Sequence, residues 1–234
     1  MKNVELQIDV SKINKDPERT TELSIDISDF DPSIAYIDLD EDLTEKLVSY
    51  IEKEVRMSYE YRDYINYLKN ELDLTHCSML PGIDCSNGAA SLEFHHYPLN
   101  LYEITDAVGH KMIKDLGDNE KLSCFEIAEK VMEEHYLGNI GLVPLTKTLH
   151  DMAHNRSIII PISKVNGNYK EFIKKYSDSI PQDIKDRVKE AEMNSESDDA
   201  KLYNQLKLEK NVVKYNIEYN RDNSTEGGDD EANW

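Results

Sequence analysis

The stretch "LEFHHYPL", residues 92–99, sets His95 beside His96, and "LTKTLHDMAHN", residues 145–155, sets His150 four residues before His154. The chain has seven histidines, so these two short stretches hold more than half of them. Residues four apart on a helix project from one face, so His150 and His154 can hold one ion between them. Neighbours on a strand face opposite ways, so one member of the His95-His96 pair can ligate while the other serves as a base. A Lewis acid with a base beyond it is what phosphodiester hydrolysis needs: the ion steadies the phosphoryl and leaving-group oxygens, and the base activates an in-line water. Three neutral imidazoles favour zinc or nickel by affinity, while an exposed site can also work with magnesium or manganese at cellular abundance.

The elements that must position these residues follow from the apolar periodicity. "VELQIDV" and "ELSIDIS" alternate with period two around the turn "NKDPER", which predicts an N-terminal hairpin. Leu43, Leu47, Tyr50, Ile51 and Val55, then Tyr61, Tyr64, Ile65 and Leu68, fall at helical spacing and predict two amphipathic helices. "HCSML" and "SLEFHHYPL" read as strands around a loop, with Pro98 ending the second. Two helices follow, closed by Gly117 and Gly138, the second capped by Ser123. "NIGLVPL" is then a short strand and "TKTLHDMAHN" a helix starting near Thr146 or Thr148. "SIIIPI" reads as a strand, "VNGN" as a turn, and two further helices cover "YKEFIKKYSDS" and "PQDIKDRVKEAEM". From Asn194 the sequence turns acidic and polar, as a loose tail would; within it "AKLYNQLKLEKNVVKYNIEYN" suits a helix or strand formed on a partner, and "DNSTEGGDDEANW" a disordered end.

Composition narrows the function. The net charge of −20 opposes non-specific attraction to a polyanion. The stretch from Ile140 to Tyr176 runs against that trend, with Lys147, Arg156, Lys164, Lys170, Lys174 and Lys175 against Asp151 and Glu171. Cys77, Cys85 and Cys124 form no close C-x-x-C pair and predict neither a disulfide framework nor a four-thiolate zinc site. No apolar run suits a signal peptide or membrane span, so the expectation is a cytoplasmic protein with no membrane partner. A zincin protease is disfavoured because Asp151, not glutamate, follows His150. Two readings without catalysis stay open: a closed zinc site from His95, His150, His154 and a fourth ligand such as Cys85, and an acidic binding protein that mimics DNA or docks on a larger machine.

"LEFHHYPL" followed by "GNIGLVPLTKTLHDMAHN" resembles the ββα-metal motif of HNH endonucleases, in the histidine-rich form, and the longer phrasing resembles phage-encoded members. The resemblance covers residues 91–155. It implies His95, His150 and His154 as ligands of one divalent ion, His96 as general base and Asn139 as the loop residue that steers the base, with Asn100 as a weaker substitute. The order within His95-His96 rests on the resemblance. Residues 97–138 separate the pair from Asn139, where the motif has a short loop, so helices must be inserted there. Lys147 and Arg156 then become candidates for contact with a scissile phosphate, and Glu93, on the strand face of His95, a candidate support for a ligand.

The resulting expectation is an α+β protein in three parts: a hairpin-and-helix lobe over residues 1–74, a nuclease domain over 75–193 with a helical insertion at 101–136, and an acidic tail over 194–234. Its function would be metal-dependent cleavage of DNA, with the acidic regions either restricting which DNA is bound or attaching it to a protein partner.

Overall fold

The computed structural model describes residues 36–37, 43–80, 82–83, 85, 90–116 and 122–208. The expected hairpin and the sequence beyond residue 208 lie outside the described residues, as does Gly117. The fold is α+β.

The first helix, α1 (Glu45–Met57), starts where the Thr44 side chain accepts a hydrogen bond from the Leu47 amide, and it buries Val48, Ile51 and Val55. Ser58 both ends α1 and starts α2 (Tyr59–Asn70): its hydroxyl donates to the Val55 carbonyl at 2.8 Å and accepts from the Tyr61 amide at 3.0 Å. Strand β2 (Leu92–His96) leads to α3 (Leu101–Asp115), and β3 (Leu122–Ser123), which pairs with β1 (Tyr36–Ile37), leads to α4 (Cys124–Tyr136). Both helices open with a reciprocal capping box, Asn100 with Glu103 and Ser123 with Glu126. Strand β4 (Leu142–Thr146) runs straight into α5 (Lys147–His154); α6 (Tyr169–Lys175), α7 (Gln182–Asn194) and a helical run at residues 198–208 complete the order.

Strands β2 and β4 pair antiparallel, with His95 opposite Val143 and Glu93 opposite Leu145. Alternation sorts this small sheet into two faces. Phe94 and Leu142 join the large core, which also takes Ile51, Leu101, Ile104, Ile127 and Val131 from α1, α3 and α4. Val143 and Leu145 join a second, smaller cluster with Leu149 of α5, Cys77, Ile158 and Ile160. Where β2 leaves the sheet, the Tyr97 amide donates to the Gly141 carbonyl at 3.0 Å, and a methyl group at position 141 would overlap the Tyr97 carbonyl oxygen, so only glycine fits.

Several expectations change. "HCSML" forms no strand: His76 makes an isolated bridge, the Ser78 amide donates to the Pro144 carbonyl of β4 at 2.8 Å, and Cys77 serves as a core residue. "SIIIPI" is no strand either. The Ile159 amide donates to Asn204 Oδ1 at 2.8 Å and Asn204 Nδ2 donates to the Ile159 carbonyl at 2.6 Å, so a side-chain amide from the 198–208 helix takes the place of a neighbouring strand. That helix lies within the stretch expected to be a loose tail from residue 194; the Ser195 hydroxyl and Glu196 carboxylate also accept from the Ile162 and Ser163 amides. A boundary at residue 74 is absent too, because α1, α2, α3 and α4 share one core. The expected insertion at 101–136 therefore supplies the centre of the protein.

Candidate metal centre

Three of the four singled-out histidines meet. His95 points from β2 toward α5, and His150 and His154 stand one turn apart on the facing side of that helix. One ligand nitrogen from each lies within 4.8 Å of the other two. The ring centroids are 5.2 Å apart for His95 and His150, 4.8 Å for His95 and His154 and 4.5 Å for His150 and His154, and each pair is nearly perpendicular. His95 and His150 are half-buried and His154 is exposed, so the trio opens outward along the helix. Burial, then the neighbouring His154 and His150, pushes His95 down to about 4. Burial and His154 also lower His150, partly offset by the carboxylates of Glu93 and Asp151. Neutral imidazole is the form that ligates a metal. Among the described residues no fourth histidine, cysteine or carboxylate joins the trio, and Cys85 stands outside it. Glu93, two residues before His95 on the same face of β2, places Oε2 2.8 Å from His150 Nδ1.

His96 goes the other way. It is buried on the core side of β2, with Nε2 3.0 Å from Nε2 of His135, and His135 Nδ1 is 2.7 Å from the Val131 carbonyl oxygen. These contacts assign the protons: His135 Nδ1–H donates to Val131, which leaves its Nε2 as acceptor, so His96 Nε2–H donates to it. The pair sits in an aromatic surround, Tyr61 stacked on His96 and Tyr64 edge-on to His135. Burial pushes His135 down to about 4, and burial with the adjacent His135 holds His96 well below its ordinary value. A buried imidazole whose Nε2 is committed to another histidine does not face the metal trio, so the expected placing of His96 as its general base fails on strand parity.

The remaining candidates also land elsewhere. Asn139 donates from Nδ2 to Glu134 at 2.8 Å and does not steer His96; Asn100 caps α3. Lys147 and Arg156 are exposed near the two ends of α5. Sequence reasoning missed Glu134 and His135, both fully buried. Lys175 donates to Glu134, as does the Tyr176 hydroxyl at 2.9 Å. Burial pushes the Glu134 carboxyl up, but the bonds from Lys175, Asn139 and Tyr176 outweigh it and hold the group below its ordinary value. A signal was present: Cys124, Ile127 and Val131 define a helical stripe that continues onto positions 134 and 135.

A family model described as Bacteriophage G278-like virion protein matches residues 1–222. No curated protein and no solved structure matches the chain. The match overturns the HNH assignment made from residues 91–155, and with it the endonuclease and hydrolase reading, because a virion protein family accounts for nearly the whole chain rather than a quarter of it. The bacteriophage association stands. No helix among the described residues is long and apolar enough to cross a membrane.

Proposed function

Because the chain belongs to the bacteriophage G278-like virion protein family, we propose that it is a component of the phage particle whose β2–β4–α5 unit is closed by one divalent transition-metal ion on His95, His150 and His154. The convergence of three ligand nitrogens within 4.8 Å, from a strand and a helix that meet nowhere in sequence, carries this reading.

The role is structural. A two-stranded sheet and an eight-residue helix are each marginal alone, and the cluster beneath them is much smaller than the core on the opposite face. A metal bond from β2 to α5 would span the side of the sheet that covers the smaller of the two apolar clusters. Three imidazoles select zinc or nickel over magnesium or manganese, which prefer oxygen ligands. Zinc at about 2.0–2.1 Å from each nitrogen would draw the three to roughly 3.4 Å apart, a small closure from the present spacing. The acidic surface, in a chain of net charge −20, contacts protein neighbours in the particle.

The test is metal content and titration of the full chain. One zinc per chain, lost in His150→Ala while the variant stays folded, is the expected result; a wild-type chain that takes up neither zinc nor nickel at micromolar concentration would sink the reading.

A further inference from the structure

We infer that Glu93 is a positioning residue for the metal trio: its carboxylate fixes the tautomer and orientation of His150, so that Nε2 is the atom presented to the ion. The inference rests on the metal reading above. Glu93 Oε2 lies 2.8 Å from His150 Nδ1, the distance of a close charge pair. A carboxylate this close repels a lone pair on Nδ1 and favours a proton there, which leaves the Nε2 lone pair free. Without such a partner, a neutral imidazole is free to place its proton on either nitrogen, and one of those forms cannot ligate through Nε2.

The placement has a reason in the fold. Glu93 and His95 are two apart on β2 and so share the face that α5 covers, while His150 and His154 share the facing side of α5. The strand thus supplies both a ligand and the group that orients a ligand on the opposite element. The contact ties strand to helix without an ion and presets one nitrogen of the trio, reducing the ordering that metal binding must impose.

The test combines a tautomer measurement with zinc affinity. Long-range proton–nitrogen correlation spectra of the metal-free chain at pH 8 should show His150 protonated at Nδ1 in the wild type and shifted toward Nε2 in Glu93→Ala. Zinc binding, measured by competition with a chromophoric chelator, should weaken about 10–100-fold in Glu93→Ala. Glu93→Gln keeps an oxygen acceptor without the charge and should fall between the two. It also serves as the test variant should the alanine chain fail to fold. Wild-type affinity in both variants, or the same His150 tautomer in all three chains, overturns the assignment of Glu93. A wild-type chain that binds no zinc instead overturns the metal reading, and the tautomer spectra still decide whether Glu93 orients His150.

Discussion

His95 and His96 are adjacent in β2 and have opposite surroundings. His95 stands among imidazoles and a carboxylate near the surface, over a small apolar cluster; His96 is sealed against a large helical core and bonded to a second histidine. Parity along the strand decides which is which, and the thickness of the layer on each side decides what the residue can do there. On the thick side a histidine must find a buried partner for its N–H. On the thin side three rings converge near the surface, where the proposed ion would close them.

The comparison can be broken from the thick side first. His135→Ala removes the acceptor for His96 Nε2–H and opens a cavity, and should cost about 3 kcal/mol in urea unfolding. The double variant His96→Leu, His135→Leu should cost less than the single changes summed, because it strands no buried donor. Zinc affinity of folded His135→Ala should match wild type. A large loss of zinc binding there would mean that the two faces are coupled.

Acid should expose the same side next. His135 is held at about 4 when folded against an ordinary 6.5, so below 6.5 the unfolded chain takes up a proton that the folded chain refuses. Stability is therefore full above pH 6.5 and declines between 6.5 and about 4, by an amount on the order of 3 kcal/mol from this residue. His96 acts in the same direction. Urea midpoints at pH 8, 6 and 5 measure the decline, which should be shallower in the double leucine variant.

On the thin side, zinc at about a hundred times its dissociation constant should raise stability by about 2.7 kcal/mol, and His150→Ala should abolish that gain while changing the metal-free chain little. Thermal melts with and without zinc read both. The smallest effect is Asn204→Ala, expected at about 1–2 kcal/mol, with hydrogen exchange speeding up at Ile159 and along residues 198–208 before the rest of the chain.

Local pattern carried much of the fold. The helix start at Ser123 follows from capping chemistry, and the β2, β4 and α5 segments follow from apolar spacing, while the caps at Thr44 and Asn100 emerge only in the structure. Local rules put His150 and His154 on one helix face and sent His95 and His96 to opposite faces of the strand; the choice of His95 as the third member of the trio rested on the family resemblance. What stayed hidden depended on partners distant in sequence. Nothing near Ile159 indicates that Asn204 will satisfy its backbone, and nothing near His96 points to His135, 39 residues away. The roles given to His96 and Asn139 came from a family resemblance, and the geometry of this chain places both side chains elsewhere.

The Asn204 contact has a consequence for how the protein behaves in a crowded assembly. Ile158, Ile159 and Ile160 form a β-branched run with high strand preference and no charge, the composition that templates edge-to-edge pairing between chains. By occupying both the amide and the carbonyl of Ile159, one carboxamide denies that run its first foreign strand. The 198–208 helix thus withholds the Ile159 amide and carbonyl from any other strand, and trimming it should leave both unpaired, which hydrogen exchange at Ile159 reads.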